Sequence, residues 1–399
     1  MSADYKQYVM NDELDILHVV EACGGGVRRH LKLIMPELTR RGIRCGVFAF
    51  GARYDRDFTS DLAHFEQVDG CKVWSFPNNG GVMSLWRSVR QLRGILREAR
   101  PQAMHLHSSV AGFVGRLASK SLPGVKVVYS PHAFAVHPSL PLWVRISIRM
   151  IEQWGAHRTN AYVFVGRSEI SDANLLCLPP EKFHLIENGL PDDYGQTLLG
   201  RDEARARLGL AADETWAVVP CRLTRQKGLQ QVLAALERCH GDKGGRLQVM
   251  FCGDGPLKAE LEALAARLGV ADRVRFEGFV PDLSSLLLAF DMAVLPSLYE
   301  GLSYVLLECL TAGIPLVVSN ILANVPRPDL RNCLQTFEVG DIDMLAGALE
   351  KTAEEPEWAR ERAAFGVEFM KTDFRLSNQA DKLAVLYNGL LRSGSKTGH

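Results

Sequence analysis

Residues 297–313 read SLYEGLSYVLLECLTAG and follow the apolar run 292–296, which predicts a buried strand. A helix is predicted to begin at about Ser303. Glu300 then lies in the turn between strand and helix, and Glu308 lies about one and a half turns inside the helix. A short buried strand that leads through a tight turn into a helix is the repeating unit of a parallel α/β sheet.

This turn offers hydrogen-bond donors to an anion. The backbone N–H groups of Gly301, Leu302 and Ser303 have no acceptors within the predicted helix and lie at its positive end, which suits a phosphate or diphosphate. Glu300 and Glu308 would repel that phosphate, so we expect their carboxylates to accept hydrogen bonds from the hydroxyls of a sugar or ribose. The alternative is a pair of acids that only stabilises the helix dipole and faces solvent.

The same alternation of strand and helix extends through the chain. Apolar runs suited to strands covered on both faces alternate with amphipathic stretches such as 27–41, 84–99 and 228–239. Strand candidates occur at 14–20, 43–50, 71–76, 103–107, 125–130, 161–165, 216–221, 247–252, 273–277, 292–296, 315–319 and 334–338. Repeated right-handed βαβ units of this kind predict an α/β fold with two doubly wound parallel sheets.

A segment rich in turn-forming residues, NGLPDDYGQTLLG at 188–200, divides the chain into halves. We therefore predict a first α/β domain at 1–190 and a second α/β domain at 191–372. The remaining segment, 373–399, contains a helical pattern at about 376–392 and is predicted to return towards the first domain. The length of 399 residues agrees with two domains of roughly 100–200 residues each.

A polar turn follows the first strand of the second half. The segment CRLTRQKGL, residues 221–229, places Arg222 and Lys227 after that strand and Gly228 before the next helix. Ligands of open parallel sheets bind at the carboxyl ends of the strands, so both cations are predicted at the ligand edge. There they would neutralise charge on a leaving diphosphate, although two solvated loop cations fit the sequence equally well.

Two glycine-rich turns are further candidates for contact with the ligand. EACGGGVRRHL at 21–31 follows the first strand, and Gly25 and Gly26 would let a ligand approach the backbone. This turn is not a dinucleotide fingerprint, because Arg29 occupies the position of the last glycine in G-x-G-x-x-G. The turn GDGP, which begins at Gly253, would contact a base or phosphate, or would be a plain turn.

Three histidines are predicted at strand ends, where ligands bind. His105 and His107 end the strand 103–107, and His132 follows the strand 125–130 in SPHAF. His132 is our candidate for the reaction centre, and the other two are candidates for the acceptor side. A structural role is the alternative for each of them, since histidines are often buried in cores.

The composition excludes several classes of protein. Lys+Arg and Asp+Glu number 46 each, which leaves no basic excess for nucleic acid. No run of about 18 apolar residues predicts a membrane span, and residues 1–15 do not resemble a secretory signal. Nine scattered cysteines without C-x-x-C pairs predict reduced thiols in a cytoplasmic protein. D-x-D pairs at 55–57 and 341–343 do not end buried strands, so we predict no metal and no cofactor.

Positive charge is concentrated in one region. Residues 84–167 contain twelve Lys/Arg and two acids, a net charge of +10 in a chain of zero net charge. Arginines recur at helical spacing in 84–100, and 139–158 combines arginines with Trp143 and Trp154. Such helices suit an anionic membrane surface, so we predict peripheral association with the inner membrane. A solvated basic helix over core aromatics is the alternative.

Taken together, these segments resemble the retaining glycosyltransferases of family 4, which have the GT-B fold of two Rossmann-like domains facing each other across a cleft. The matching segments keep the family's order over most of the chain: the GGG loop, HLHS at 105–108, SPHAF at 130–134, VGRSE at 165–169, IENGLP at 186–191, CRLTRQKGL, FCGDGP and YEGLSYVLLE. The spacing from Glu300 to Glu308 matches the family's E-x7-E motif, which is the most specific of the set.

The resemblance implies a role for each candidate in the second domain. A UDP- or GDP-sugar would lie mainly on that domain, with Glu308 on the ribose hydroxyls and Glu300 on the transferred, hexose-type sugar. Arg222 and Lys227 would hold the diphosphate, helped by the amides of 301–303 and by the glycine loop.

The resemblance also implies how the reaction proceeds. His132 would lie beside the sugar at the reaction centre, and no side chain would serve as nucleophile. The leaving phosphate oxygen would take the acceptor proton on the same face, so the anomeric configuration would be retained. A saccharide acceptor, in one version linked to polyprenyl diphosphate, would approach from the first domain in exopolysaccharide or lipopolysaccharide synthesis.

Two other functions remain compatible with such a fold. One is a nucleotide-sugar 2-epimerase of GT-B shape, and the other is a non-catalytic nucleotide-sugar-binding module. The Glu pair together with Arg222 and Lys227 favours transfer over both. A Rossmann dehydrogenase is disfavoured because the dinucleotide fingerprint is missing.

Overall fold

The computed structural model describes residues 14–21, 24–51, 58–68, 70–77, 80–134, 140–240 and 246–394. Within these residues, seven strands form one sheet and six form another. All neighbouring strands are parallel. Two parallel α/β sheets confirm the predicted fold class.

The strands of the first sheet are β1 Ile16–Val20, β2 Cys45–Gly51, β3 Lys72–Pro77, β4 Ala103–His107, β5 Lys126–Ser130, β6 Ala161–Phe164 and β7 Phe183–Leu185. Those of the second sheet are β8 Trp216–Pro220, β9 Gln248–Cys252, β10 Val274–Gly278, β11 Met292–Leu295, β12 Leu316–Ser319 and β13 Leu334–Phe337. The α-helices are α1 Gly25–Arg40, α2 Phe58–Glu66, α3 Val82–Ala99, α4 Ser109–Ala118, α5 Leu142–Ala156, α6 Arg167–Leu175, α7 Arg201–Leu208, α8 Leu229–Arg238, α9 Lys258–Arg267, α10 Tyr304–Ala312, α11 Ile342–Glu354, α12 Pro356–Thr372 and α13 Leu376–Gly394.

Both sheets have the same winding order. The first runs β3-β2-β1-β4-β5-β6-β7 and the second runs β10-β9-β8-β11-β12-β13. The order reverses between β1 and β4 in the first sheet and between β8 and β11 in the second. At such a point the loops after the two central strands diverge and leave a crevice at the carboxyl edge.

Burial of apolar helix faces against the sheets stabilises each domain. In α1 the residues Val27, Leu31, Ile34, Met35 and Leu38 recur at spacings of one to four and are buried. They belong to one apolar cluster with strands β1 and β2. Each such side chain contributes roughly 1.5–3 kcal/mol when it is removed from water.

The last helix, α13, packs on the first sheet although it follows the second sheet in the chain. Its apolar face shares a buried cluster with β1 and α1 and comprises Leu376, Ala380, Leu383 and Tyr387. Its start is held beside the inter-sheet linker, because the Leu190 N–H donates to Phe374 and the Leu376 N–H donates to Leu190. The chain therefore crosses between the two domains twice.

The predicted strands agree with the observed ones to within a few residues at each end, with one exception. Strand β7, Phe183–Leu185, is absent from the predictions. It has three half-buried residues at the edge of the sheet, too few to show a hydrophobic pattern. The helix predicted to begin at about Ser303 begins at Tyr304, with Ser303 as its N-cap residue.

Candidate active site

The two points of strand reversal place four sequence motifs at one edge of the sheets. The glycine loop follows β1 and HLHS lies at the end of β4, so both flank the crevice of the first sheet. CRLTRQKGL follows β8 and the Glu300 turn follows β11, so both flank the crevice of the second. Contacts between the motifs show that the two crevices face each other.

The turn before α10 lies directly against the first domain. Ser168 Oγ donates to the carbonyl of Glu300 at 3.0 Å, and Asn188 Nδ2 donates to that of Leu302 at 2.8 Å. A Cβ at Gly166 would lie 3.2 Å from the Leu302 nitrogen, and one at Gly301 would lie 3.3 Å from Val165. The predicted amide donors at 301–303 therefore lie where the two domains meet.

Glu300 forms an ion pair with Lys227. The Lys227 ammonium donates to Oε1 of Glu300, and Ser297 Oγ donates to the same oxygen at 3.2 Å. Gly228 makes this geometry possible, because its φ is +61° and a Cβ there would collide with the carbonyl of Pro296. The glycine thus lets the Lys227 turn lie against the Glu300 turn.

Burial and charge act in opposite directions on Lys227. Burial lowers the pKa of Lys227, but the Glu300 carboxylate and Cys221 together raise it, so that the net pKa lies above its ordinary value and the ammonium is charged. A small cavity beside the pair is lined by Cys221, Ser297, Ser303 and Asn324, among others. A fixed cation that borders an enclosed space near a helix N-terminus can hold an anionic ligand.

Glu308 lies on the buried side of α10 and faces the first domain. Its Oε1 is 3.3 Å from Nη2 of Arg29 on α1, and its side chain is 13% exposed. Burial raises the pKa of Glu308 to about 7, and the Arg29 guanidinium acts against that rise. Arg29 is the one basic partner of Glu308 among the described ion pairs. The carboxyl group is therefore available to ligand hydroxyls.

The remaining second-domain candidates differ in what they can offer. Arg222 is exposed just beyond the end of β8. Gly253 has its N–H bonded to the carbonyl of Gly278 at 2.7 Å, and a Cβ there would collide with the carbonyl of Cys221. Gly253 therefore permits close packing of two loops, and its N–H is not open to a phosphate.

The glycine loop begins α1 as predicted from the sequence. Gly25 has a φ of +63° and is the first helical residue, with Gly24 as N-cap. A Cβ at Gly25 or Gly26 would meet no atom of the described residues within 4 Å, which leaves space beside the start of this helix. That space and the N–H groups of the first helical turn suit an anion.

The histidine candidates lie together in the first domain. His132 is partly buried, and its Nε2 lies 3.0 Å from Nδ1 of His107. His105 is 0% exposed, and its two ring nitrogens lie 2.6 Å from Tyr387 Oη and 2.8 Å from Ser130 Oγ. Of the three, only His132 combines partial exposure with a place on a cleft loop.

Among the residues that the structure describes, two groups of histidines could hold a metal ion. They are His18, His105 and His107, and His30, His107 and His132, each with candidate ligand atoms within 4.8 Å of one another. Sequence analysis missed His18 and His30 because they lie on β1 and α1, apart from any recognised metal motif. Of the D-x-D pairs, 55–57 lies outside the described residues, and Asp341 caps α11 by accepting from the Met344 N–H at 2.9 Å.

Glu169, in the VGRSE motif, has a function that sequence analysis did not assign. Its carboxyl accepts N–H groups from Ala133 at 2.7 Å, Val165 at 2.6 Å and Gly166 at 3.3 Å. Burial raises the pKa of Glu169 to about 7, against the effect of those N–H bonds. His132 and Ala133 both have positive φ, so Glu169 holds a strained loop that carries His132.

The outer face of the first domain is both basic and apolar. On α5, Leu142, Trp143, Ile146 and Met150 are exposed, Trp143 by 71%. Arg145 and Arg149 are exposed on the same helix, and Val82, Met83 and Trp86 are exposed where α3 begins. Residue 139, where the predicted membrane segment begins, lies outside the described residues. The alternative, in which these aromatics lie in the core, does not hold for Trp86 and Trp143, because both are exposed.

Two family models match consecutive parts of the chain. The model described as Glycosyltransferase Family 4 matches residues 24–194, and that described as Glycosyl transferases group 1 matches residues 200–365. The chain belongs to the family 4 glycosyltransferases. The two matches correspond to the two sheets, and they confirm the family that the motifs indicated.

Individual relatives of this glycosyltransferase agree with that assignment. It is 27% identical to the alpha-D-kanosaminyltransferase of Streptomyces kanamyceticus, over 92% of this chain and 97% of the relative. It is also 27% identical to the UDP-Gal:alpha-D-GlcNAc-diphosphoundecaprenol alpha-1,3-galactosyltransferase of Escherichia coli, over 67% of this chain and 70% of the relative. These names favour transfer over the epimerase and over a non-catalytic module.

The solved structures confirm that the glycosyltransferase has the GT-B fold. The structure of Anabaena HepE in complex with UDP and glucose superimposes with a TM-score of 0.78 at 19% identity, over 94% of this chain and 100% of that chain. Within the residues that the structure describes, no helix has both the length and the apolar character needed to cross a bilayer.

Proposed function

We propose that this glycosyltransferase moves a hexose-type sugar from a UDP- or GDP-sugar to a lipid-linked saccharide acceptor, with retention of anomeric configuration, in exopolysaccharide or lipopolysaccharide synthesis. The observation that carries the proposal is the arrangement around α10. Glu300 with Lys227 and Glu308 with Arg29 lie on either side of a helix N-terminus in the cleft. Cations and amides suit the diphosphate, and the acids suit the hydroxyls.

The transfer is balanced without a protein nucleophile. The acceptor hydroxyl oxygen forms a bond to the anomeric carbon while the bond from that carbon to the diphosphate oxygen breaks. The acceptor proton passes to the departing diphosphate oxygen on the same face, which gives a glycoside and a nucleoside diphosphate. Lys227, Arg222 and the amides of 301–303 would stabilise the negative charge that develops on the leaving group.

His132 and Glu300 would position the transferred sugar. His132 is a neutral imidazole because burial, and then the neighbouring His30, hold its pKa well below the ordinary value. It can therefore hydrogen-bond a sugar hydroxyl without carrying charge into the site. The Lys227 ammonium beside Glu300 favours the carboxylate form that accepts from sugar hydroxyls.

The relatives support the donor and acceptor classes. The Escherichia coli relative is named for UDP-galactose and for a GlcNAc-diphosphoundecaprenol acceptor, and HepE is solved with UDP and glucose. We therefore propose a UDP-sugar as the first candidate donor for this chain and a GDP-sugar as the second. The acceptor would be a saccharide on a polyprenyl diphosphate.

A lipid-linked acceptor would require the enzyme to meet a membrane surface. The apolar and basic face formed by α5 and the start of α3 would supply the contact, as a peripheral attachment on the cytoplasmic side of the inner membrane. Arg116 pairs with Glu152 inside the domain at 2.9 Å. Because this buried pair contains one positive and one negative charge, it does not change the net positive charge of the outer surface. Each basic residue near anionic lipid contributes about 1 kcal/mol.

Donor binding and transfer should be measured separately. The full chain is screened by thermal shift against UDP, GDP and their sugars, and the donor that raises Tm is then supplied with an undecaprenyl-diphosphate-linked saccharide. A ligand at 100 times its Kd should stabilise the protein by about 2.7 kcal/mol. Formation of a lipid-linked glycoside with retained configuration supports the proposal. A chain that binds no nucleotide, or that inverts the product, contradicts it.

A further inference from the structure

Three imidazoles form a continuous hydrogen-bonded chain that ends at His132. His18 Nδ1 lies 3.0 Å from His107 Nε2, and His107 Nδ1 lies 3.0 Å from His132 Nε2. The rings are stacked, with centroids 5.3 Å apart for the first pair and 5.2 Å for the second. His18 and His107 are 0% exposed and lie on the paired strands β1 and β4.

Each of the two nitrogen–nitrogen contacts requires one proton between its atoms, because two facing N–H groups or two bare nitrogens cannot form a hydrogen bond. A neutral imidazole donates from one nitrogen and accepts at the other. The three hydrogen-bonded histidines therefore have two possible arrangements, with the proton on Nδ1 of every ring or on Nε2 of every ring.

The unpartnered end of the chain decides between these arrangements. Nε2 of His18 is buried and has no hydrogen-bond partner among the residues that the structure describes. Orphaned buried N–H groups are rare in folded proteins, whereas a bare acceptor nitrogen leaves no donor unsatisfied. The proton of His18 therefore lies on Nδ1 and points to His107. It follows that His107 donates from Nδ1 to His132, and that His132 carries its own proton on Nδ1.

The neighbouring His105 has its own partners and does not disturb this chain. Ser130 Oγ donates to the carbonyl of Val163 at 2.9 Å, so its oxygen accepts from Nε2 of His105 at 2.8 Å. Nδ1 of His105 then accepts from the Tyr387 hydroxyl at 2.6 Å. His105 thus has the opposite tautomer, although its ring centroid is 4.2 Å from that of His107.

We propose that His107 and His18 are positioning residues that hold His132 in the tautomer with its proton on Nδ1, so that His132 offers a hydrogen-bond donor to the transferred sugar and not a base. The Nε2 of His132 is occupied by His107, and its Nδ1 already carries a proton, so neither nitrogen can take a proton from the acceptor. The identity of the sugar as the group that receives this hydrogen bond rests on the proposed function. The tautomer of His132 does not depend on that function.

The tautomer can be observed directly. The full-length protein is labelled with ¹⁵N-histidine, and long-range ¹H–¹⁵N spectra are recorded without ligand, with His132 assigned from the spectrum of H132N. We expect a protonated Nδ1 and a bare Nε2 for His132. A protonated Nε2, or an imidazolium at pH 7, would overturn the proposal.

Two variants of His107 separate positioning from packing. In H107N the amide can still donate to Nε2 of His132, whereas in H107L a side chain of similar size cannot. We expect H107L to lose the single tautomer and about 10-fold in kcat, with most of the activity recovered in H107N. If H107L and H107N lose kcat equally while both keep the wild-type Tm, the proposal is contradicted. An unchanged His132 tautomer in H107L would also contradict it.

The same measurements distinguish failure of the inference from failure of the proposed function. If the spectra show the expected tautomer but the wild-type protein transfers no sugar to any acceptor, the positioning chain is present and the assigned reaction is wrong. If the protein transfers sugar but His132 has its proton on Nε2, the reaction stands and the positioning role is wrong.

Discussion

Arg29 on α1 places its Nη2 3.3 Å from Oε1 of Glu308 on α10, so the two domains are joined by an ion pair across the cleft. Burial raises the pKa of Glu308 to about 7, and Arg29 limits that rise. The carboxyl that we assign to the ribose is thus half ionised near neutral pH. This relationship makes donor binding and domain stability depend on the same group.

Donor affinity should increase with pH across neutrality. In the proposed site, ionised Glu308 would accept hydrogen bonds from the ribose hydroxyls, whereas the protonated acid would lose part of that capacity. With a pKa of about 7, the ionised fraction falls about 10-fold between pH 8 and pH 6, and the affinity for UDP-glucose should fall by a similar factor. Calorimetric titration at the two pH values measures this, and UDP-glucose is used because its diphosphate diester does not titrate there.

Two variants provide the controls for that titration. E308Q should bind UDP-glucose weakly and with no step near pH 7. R29M removes the cation that lowers the pKa of Glu308, so its midpoint should move to higher pH. A pH dependence that is the same in wild type and E308Q would assign the step to another group.

Glu308 should also make the empty protein less stable at alkaline pH. Its folded pKa of about 7 is above the ordinary 4.5, so between these values the folded state binds the extra proton. The stability from this group is complete below pH 4.5 and is lost as the pH rises through 7. The loss is at most about 3 kcal/mol. E308Q should therefore have a higher Tm than wild type at pH 8 but not at pH 5; a constant difference would contradict the raised pKa.

Removal of the Lys227 ammonium should impair transfer much more than removal of a nearby cation. K227M leaves Glu300 without its partner and takes a positive group from the leaving diphosphate, so kcat/KM should fall about 100-fold. R225M is the matched control, because Arg225 lies in the same turn but is exposed and outside the candidate site. Similar losses in both variants would show that the turn, and not the ammonium, matters.

Membrane association should depend on α5. W143S removes an aromatic side chain that is 71% exposed, and R145E reverses an adjacent charge. Both variants should reduce co-sedimentation with vesicles that contain anionic phosphatidylglycerol, and R145E by about 5-fold or more at low salt. V385S, which removes an exposed apolar residue from α13, should sediment as wild type. Absence of wild-type binding at low salt would refute the membrane proposal.

Transfer should continue in EDTA. We expect Lys227, Arg222 and the helix N-terminus to supply the positive potential for the diphosphate without a divalent cation. The two histidine groups are the places among the described residues where an ion would be sought if this is wrong. Full loss of activity in EDTA, restored by one added metal, would assign a metal to the enzyme.

Prediction from the sequence succeeded where the information lies in one continuous segment. The strand-turn-helix unit around Glu300 was predictable because an apolar run, a polar turn and a helical pattern follow one another within about 20 residues. The same applies to Gly25 at the start of α1. Gly253 was assigned to the ligand; its N–H donates to the carbonyl of Gly278 in the structure, and contact of its turn with a ligand stays a prediction.

The pairs that define the site could not be predicted in this way. Lys227 was assigned to the diphosphate and Glu300 to the sugar, but the structure joins them directly, because Gly228 lets one turn lie on the other. Glu169 was quoted in a motif without a role, since its three N–H partners include one from a loop 36 residues away. Such contacts depend on which strands are neighbours, and a local hydrophobic pattern does not encode strand order.

The sequence by itself determined two parallel α/β sheets, the family and the segments that reach the cleft, because periodicity, turn composition and motif spacing are local properties. Only the tertiary structure decided that Arg29 meets Glu308 and that His18, His107 and His132 form one chain. The physical reason is the reversal of strand order. It brings β1 beside β4 and places the loops after these strands at the edge where the two domains make contact, so side chains far apart in the chain come within hydrogen-bonding distance.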